Sequence, residues 1–130
     1  MTNKTNLTSL FFNISNHPVA KWREEQLDAA HMLADTLIDI PFPQVCPDAS
    51  EEQVAQMADE LFGNVLNRAG DAPMSVIAHV MGEMTLTYAL VSRLKSAGIK
   101  CVASTTERKT YIDAGGMKVS EFKFIKFRDY

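Results

Sequence analysis

The feature of this sequence that most constrains its fold is a regular alternation of short apolar runs with longer segments of helical periodicity. Four apolar runs are too short for helices and predict buried strands: residues 7–14, 36–40, 74–80 and 100–104. The intervening segments carry apolar residues at helical spacing: residues 21–34, 51–69 and 83–97. This β-α-β-α-β-α-β order predicts parallel strands with helices on both faces, because crossover connections are right-handed.

Local signals mark the ends of two of these helices. Ser50-Glu51-Glu52-Gln53 matches a capping box, in which the serine and glutamine side chains satisfy free backbone N–H groups. Gly70 follows the last apolar residue of the second helix, and Gly98 stands in the same position after the third. The second helix is therefore the most strongly indicated element of the chain.

The C-terminal part of the chain changes character. Residues 108–113 and 117–128 flank Ala114-Gly115-Gly116, a turn that joins two strands directly and predicts an antiparallel hairpin. The alternation of Phe122-Lys123-Phe124 resumes in Ile125-Lys126-Phe127-Arg128 with its phase shifted by one residue. Such a shift indicates either a bulge or a strand covered on both faces. The hairpin packs either on its own sheet or on a second subunit.

Length and composition set the scale of the fold. The chain has 130 residues, 46% of them hydrophobic, which is enough for one well-packed core. We therefore expect a single domain over residues 1–130, an α/β Rossmann-like three-layer sandwich with a mostly parallel sheet and a C-terminal antiparallel hairpin. Residues 1–6 are not followed by the apolar h-region of a signal peptide, and no later stretch is long enough for a membrane span. A cytoplasmic protein without a membrane partner is expected.

Charge and cysteine content reduce the number of ligand classes that this chain is expected to bind. A formal net charge of −3 and a pI near 5.5 argue against long nucleic acid as a partner but leave a small anionic ligand open. Cys46 and Cys101 are far apart and show no CxxC spacing, so neither a disulfide framework nor a zinc site is indicated. The three histidines also lack metal-ligand spacing. We expect no metal and no cofactor.

Parallel sheets bind ligands beyond the carboxyl ends of their strands, where neighbouring connections leave toward opposite faces. With a strand order of 2-1-3-4, this point lies between the first and third strands and brings together the segments that follow them. Residues 13–18, 79–85 and 104–108 then supply hydrogen-bonding side chains. The candidate ligand-binding residues are Ser15, Asn16, Gly82, Thr85, Thr105, Thr106 and Arg108.

Two of the residues at these strand ends are candidates for catalysis. His17 can take or give a proton near neutral pH, and the alternative is a turn histidine fixed by Pro18. Glu83 is a second candidate for catalysis or ribose binding, and the alternative is an acid that stabilises a helix start. We interpret His79 as a core residue with satisfied hydrogen bonds, and His31 as a solvated cation near a helix end.

Three further residues have both a ligand-binding and a structural interpretation. At Gly82 the missing Cβ would let the backbone approach a ligand, and the alternative is a tight turn. Arg108 offers a fork for phosphate oxygens, and the alternative is a solvated edge residue. Trp22 could stack on a base, but we favour a hydrophobic staple for the helix that it begins.

Several nucleotide-binding and hydrolase classes are excluded by missing motifs. The first strand is not followed by GxGxxG, and the chain contains neither a P-loop nor a GxSxG elbow. A Rossmann dehydrogenase is also disfavoured because no room remains for a substrate domain.

Four short blocks of the sequence resemble a known family when they are taken together. The blocks are Phe11-Phe12-Asn13-Ile14-Ser15-Asn16-His17-Pro18 with Trp22 and Gln26, Gly82-Glu83-Met84-Thr85-Leu86-Thr87 through Leu94, Ala103-Ser104-Thr105-Thr106-Glu107-Arg108, and Phe122 to Tyr130. They resemble small CRISPR-associated Rossmann-like (CARF-type) proteins that include ring nucleases. The resemblance covers most of the chain.

This resemblance implies a homodimer that binds cyclic oligoadenylate across its two-fold axis and degrades it as a metal-independent ring nuclease. Cleavage in that class proceeds by attack of a ribose 2′-hydroxyl on the adjacent phosphate and leaves a 2′,3′-cyclic phosphate. Ser15, Asn16 and His17 would form the first phosphate-binding loop. Two other functions stay open: a non-catalytic module that senses or sequesters the nucleotide, and a structural dimerising partner.

Overall fold

The computed structural model describes residues 8–70 and 75–130. Within them it contains three α-helices, a short 3-10 helix at Val19–Lys21, and one five-stranded sheet. The helices are α1 (Glu24–Leu33), α2 (Glu51–Ala69) and α3 (Met84–Ser96). The strands are β1 (Leu10–Ser15), β2 (Thr36–Pro41), β3 (Val76–Met81), β4 (Lys100–Ile112) and β5 (Lys118–Asp129).

The sheet has the order β2-β1-β3-β4-β5, with β1 to β4 parallel and β5 antiparallel to β4. The predicted order of the four parallel strands, 2-1-3-4, is confirmed, and so is the antiparallel C-terminal pair. The chain therefore has the α/β architecture expected of a Rossmann-like sandwich. Its point of strand-order reversal lies between β1 and β3, where a ligand crevice is expected.

Side chains of β1 alternate between the two faces of the sheet, and helices cover both faces. Phe11 faces α1 and packs in a small cluster with Trp22 and Ala30. Phe12 faces the other side and belongs to the larger core formed with α2 and α3. Both phenylalanine rings are fully buried, so β1 is an interior strand covered on both faces.

The predicted helix ends are confirmed for α2 and α3. The Ser50 side chain accepts a hydrogen bond from the Gln53 backbone N–H, and the Gln53 side chain accepts one from the Ser50 N–H. Gly70 and Gly98 follow the two helices with φ of 65° and 83°, a backbone region that favours glycine. No helix in the described parts of the chain is long and apolar enough to cross a membrane.

Two predicted boundaries shift at the start of the chain. The first helix begins at Glu24 rather than at residue 21, because Val19–Lys21 forms its own 3-10 turn and Trp22 is extended, with φ −74° and ψ 148°. The first strand begins at Leu10, three residues later than predicted. Leu7 of that prediction and Met74 of the predicted third strand lie outside the described residues.

The largest correction concerns the C-terminal strands. Residues 100–104 and 108–113 were predicted as separate strands, but β4 runs without interruption from Lys100 to Ile112. Only Lys100 to Val102 pair with β3, and the rest of β4 pairs with β5 in a two-stranded ribbon that extends past the sheet. The pairing shifts between Thr105 and Thr106, which leaves Ile125 as the extra residue of β5. A bulge therefore explains the phase shift in the sequence.

Candidate functional site

A cavity of about 920 Å³ lies at the carboxyl ends of β1 and β3 and beside the middle of β4, between the sheet, α1 and the ribbon. This volume is within the range of small-molecule sites. Its lining residues come from five segments: Ser15, Asn16 and His17; Lys21, Trp22, Arg23, Glu25 and Gln26; His79, Met81 and Gly82; Ser104, Thr106 and Lys109; and Glu121, Phe122, Lys123 and Phe124. The cavity occupies the crevice that the strand order predicts.

The structure brings five of the sequence-predicted site residues to this cavity. They are Ser15, Asn16, His17, Gly82 and Thr106. The side chains of Asn16 and His17 are exposed, whereas that of Ser15 is buried. The Ser15 hydroxyl donates to Asn13 Oδ1 at 2.8 Å and accepts from the His17 backbone N–H at 3.2 Å. Ser15 therefore shapes the loop, while Asn16 and His17 present polar groups to the cavity.

Glu83 and Thr85 are not among the lining residues, because they begin α3. The Glu83 side chain accepts hydrogen bonds from the Leu86 backbone N–H at 2.9 Å and the Thr85 hydroxyl at 2.6 Å. The Thr85 hydroxyl bond, with bonds from the backbone N–H groups of Leu86 and Thr85, lowers the pKa of the Glu83 carboxyl. An anionic cap at this helix start disfavours a phosphate there and fits the structural alternative for Glu83.

Thr105 and Arg108 also lie away from the cavity lining. The Thr105 hydroxyl donates to the Lys126 carbonyl at 3.1 Å and accepts from the Lys126 N–H at 3.2 Å, so it is engaged at the bulge. Arg108 donates to the Ser120 hydroxyl at 3.2 Å across the ribbon. The two residues hold β4 and β5 together rather than face the cavity.

The structure gives a packing reason for a glycine at position 82, in addition to the two interpretations that the sequence leaves open. A Cβ built on Gly82 would lie 2.5 Å from three ring carbons of Phe42. Phe42 is buried in the larger core, so its ring cannot move away cheaply. The missing Cβ therefore admits an aromatic side chain beneath the loop.

The buried centre of the site is the imidazole of His79, which confirms its interpretation as a core histidine with satisfied hydrogen bonds. Its Nδ1 lies 2.9 Å from Asn13 Oδ1, and its Nε2 lies 2.6 Å from Ser104 Oγ. Asn13 Nδ2 donates to Asp39 Oδ1 at 2.8 Å and to the His17 carbonyl at 2.9 Å, which fixes the orientation of the amide. Asn13 Oδ1 therefore accepts from the Nδ1–H of His79, and Nε2 accepts from the Ser104 hydroxyl.

The surroundings of His79 keep this imidazole neutral. It is 2% exposed and packs against the rings of Phe11, Trp22 and Phe127. Burial lowers its pKa from 6.5 to about 4, because the charged form loses its hydration. At neutral pH His79 is therefore an uncharged hydrogen-bonding group.

Ser104 connects this buried network to the cavity. Its hydroxyl oxygen accepts a hydrogen bond from Gln26 Nε2 at 3.1 Å while its proton is directed to His79. Ser104, His79 and Gln26 all line the cavity. A polar chain thus runs from α1 through β4 and β3 to Asn13 on β1.

The Trp22 side chain is held by a hydrogen bond from its indole nitrogen and by the packing of its ring. Its Nε1 donates to the His17 carbonyl at 3.0 Å, and its ring is buried beside Phe11 and packs with Leu27 in the cluster under α1. The indole immediately precedes the N-cap of α1, as a hydrophobic staple requires. The staple interpretation fits better than base stacking.

Sequence reasoning did not select Asn13, Ser104 or Gln26 as site residues. One signal was available, because Asn13 is a polar residue inside an otherwise apolar strand and a buried amide needs several partners. Its partners could not be read from the chain. They depend on the register that places Asn13 opposite both Asp39 and His79.

The charges around the cavity differ in sign from the chain as a whole. The lining carries four permanent cations, Lys21, Arg23, Lys109 and Lys123, and two carboxylates, Glu25 and Glu121. Arg23 is paired with Glu121 at 2.7 Å. A cationic excess in a chain of formal net charge −3 indicates a preference for an anionic ligand. Within residues 8–70 and 75–130, no three His, Cys, Asp or Glu side chains cluster so as to hold a metal.

Comparison with known proteins places the chain in a family without assigning it an activity. No curated protein matches the chain, and no solved structure does. The model of the uncharacterized protein MJ1673 family matches residues 9–128, and the chain therefore belongs to that family.

Proposed function

We propose that this protein binds a cyclic oligoadenylate in the cavity at the carboxyl ends of its strands and cleaves it as a metal-independent ring nuclease. The observation that carries the proposal is the cationic excess of the cavity lining in an acidic chain. An anionic small molecule is the ligand class that such a lining favours. The cyclic oligoadenylate is the member of that class implied by the resemblance to CARF-type proteins.

The lining offers groups for each part of a nucleotide. The ammonium groups of Lys21, Lys109 and Lys123 are suited to phosphate oxygens. Asn16 and His17 add exposed polar side chains beside them. Phe122 is 62% exposed at the cavity, so its ring is available for stacking on a base.

The proposed reaction needs no group beyond those of the chain and the ligand. The ribose 2′-oxygen attacks the adjacent phosphorus, the bond to the 5′-oxygen breaks, and a 2′,3′-cyclic phosphate is left. Cations that hold the phosphate oxygens stabilise the charge that develops there. His17 is exposed at the cavity and is the proposed group for proton transfer.

We further propose that two copies of the chain form the binding unit. The β4–β5 ribbon leaves large apolar side chains exposed, and isolated two-stranded ribbons are marginally stable in water. These side chains are Ile112, Met117 and Ile125, each at least 50% exposed. A two-fold dimer would cover this surface and would suit a ligand that is itself symmetric.

The test is incubation of the purified protein with cyclic tri-, tetra- and hexa-adenylate in EDTA, with products followed by chromatography and mass spectrometry. Linear products ending in a cyclic phosphate from one ring size support the proposed activity. Rings that bind and are recovered intact favour a sensor or sequestering module. If no ring binds, the proposal that cyclic oligoadenylate is the ligand is contradicted. A monomeric mass at micromolar concentration contradicts the proposed dimer.

A matched pair of variants tests the role of the cavity charge. Lys109→Gln removes a cation from the lining, whereas Lys118→Gln removes one from the ribbon outside it. Both change the net charge of the protein equally. Weaker ring binding by Lys109→Gln alone supports the cavity as the binding site, and equal effects of the two variants contradict it.

A further inference from the structure

We propose that Ser104 and His79 form a proton relay that takes the proton from a ligand hydroxyl in the cavity, with Asn13 fixing the imidazole tautomer. This inference rests on the proposed function and gives its reaction a second proton-transfer group besides His17. It follows from the continuous hydrogen bonds between Ser104 Oγ, His79 Nε2, His79 Nδ1 and Asn13 Oδ1. A hydroxyl bonded to an imidazole that a third group orients is the arrangement that activates hydroxyl groups in enzymes.

The direction of the relay is set by the amide of Asn13. Asp39 Oδ1 and the His17 carbonyl both accept from Asn13 Nδ2, so Oδ1 faces the imidazole as an acceptor. The imidazole proton therefore resides on Nδ1, and the Nε2 lone pair faces Ser104. A neutral imidazole in this tautomer can accept the Ser104 proton.

The Ser104 hydroxyl oxygen has one unused acceptor position, which a ligand can bind. A hydroxyl oxygen has two acceptor positions, and Gln26 Nε2 occupies one of them at 3.1 Å. Ser104 lines the cavity, so the second position is available to a ligand hydroxyl. The Ser104 proton is already committed to His79. Ser104 is therefore built to accept a hydrogen bond from the ligand rather than to donate one.

The step balances when the ligand hydroxyl is a ribose 2′-OH. Its proton passes to Ser104 Oγ as the Ser104 proton passes to His79 Nε2, and the 2′-oxygen bonds to phosphorus. The bond from phosphorus to the 5′-oxygen breaks, and His17 gives the 5′-oxygen a proton. The proton that His79 then releases replaces the one that His17 has given up.

The rings and side chains packed against His79 carry no charge, so they favour the neutral imidazole over its protonated form. The groups packed against it are the rings of Phe11, Trp22 and Phe127 and the polar side chains of Asn13 and Ser104. Asp39 joins the network through Asn13 Nδ2. Burial keeps the pKa of His79 low, so the imidazole is neutral before the reaction and releases its proton readily afterwards.

The test compares Ser104→Ala, Ser104→Thr and the exposed control Ser96→Ala on whichever ring the wild-type protein cleaves. Loss of the relay should lower kcat by about 100-fold in Ser104→Ala, in the range of general acid–base catalysis, with the Kd for the ring nearly unchanged. Ser104→Thr keeps the hydroxyl and should retain most of kcat, and Ser96→Ala should match the wild type. A purely structural role would instead alter Kd and thermal stability in both Ser104 variants.

Four results would overturn the relay. If Ser104→Ala cleaves the ring at the wild-type rate, the relay is wrong but the proposed nuclease activity stands. Wild-type protein that binds rings without cleaving them removes the relay and leaves a sensor, and protein that binds none removes both proposals. If Ser104→Ala fails to fold, imidazole ¹⁵N chemical shifts of the wild type decide, because a proton on Nε2 of His79 rules the relay out.

Discussion

The ring of Phe42 fills the position that a side chain at Gly82 would occupy. Three ring carbons lie 2.5 Å from where the Cβ would be, and the ring is part of the core under α2 and α3. Gly82 follows β3 at the edge of the candidate site, and Phe42 follows β2. This contact therefore ties the loop after β3 to the core below it.

The first prediction is that Gly82→Ala destabilises the protein by about 1–3 kcal/mol, as overpacking does in other cores. The matched control is Gly63→Ala in α2, where a new Cβ meets nothing within 4 Å and helix propensity rises. Urea unfolding should show opposite signs for the two variants. Adding Phe42→Leu to Gly82→Ala should recover part of the loss, and purely additive effects would contradict the contact.

The second prediction concerns the pH dependence of stability. The pKa of His79 is about 4 in the folded protein and 6.5 in the unfolded chain, so the unfolded chain binds the proton first as the pH falls. This contribution to stability is complete above pH 6.5 and is lost as the pH falls toward 4. The shift corresponds to about 3 kcal/mol.

The measurement is the free energy of unfolding between pH 7 and pH 4.5 for the wild type, His79→Gln and His31→Gln. His31 is exposed on α1, so its variant controls for the loss of one histidine outside the core. His79→Gln should be less stable at pH 7 but should lose less stability on acidification. Parallel curves for the wild type and His79→Gln would show that His79 does not carry the dependence.

The layout of the parallel sheet was predictable because each of its elements carries its own signal. Phe11 and Phe12 lie in an apolar run of strand length, and Ser50 begins a helix with a complete capping box. The crevice after β1 and β3 then follows from strand order alone. For this reason Asn16 and His17 were found as cavity residues without any motif.

The rest of the site depends on information that a linear sequence does not hold. The network of Asn13, His79 and Ser104 exists because three strands pair in one register with these side chains on the α1 face. Hydrophobic periodicity predicts strands and helices, but it does not predict which single polar residue in a strand will be buried or what it will contact. The sequence does not reveal the continuity of β4, because Thr105 and Thr106 are polar residues between two predicted strands and their partners lie on β5.

The third prediction tests the N-terminal cap of α2. Ser50→Ala removes the acceptor for the Gln53 N–H, which lies 3.1 Å from the serine oxygen, and should cost about 1 kcal/mol. Ser96→Ala replaces an exposed serine inside the last turn of α3 and should be neutral or slightly stabilising. Chemical denaturation measures both, and an equally small effect of the two changes would contradict the cap.

The last prediction uses the ion pair at the cavity rim. Glu121 holds the Arg23 guanidinium at 2.7 Å, and this bond with the nearby negative charge raises the pKa of Arg23. Glu121→Gln should free Arg23 to bind a ligand anion and remove one carboxylate from the lining. The Arg23 side chain is 68% exposed and that of Glu121 is 37% exposed, so solvent screens the pair and we expect little change in stability.

Affinity for cyclic tetra-adenylate should rise about threefold in Glu121→Gln at low salt and converge on the wild type at high salt, because salt screens exposed charges. Glu60→Gln makes the same change in net charge on the exposed side of α2 and serves as the control. Calorimetric titration at two salt concentrations separates the alternatives. Equal gains in both variants would mean that net charge alone governs binding, whereas a gain confined to Glu121→Gln places the anion beside Arg23.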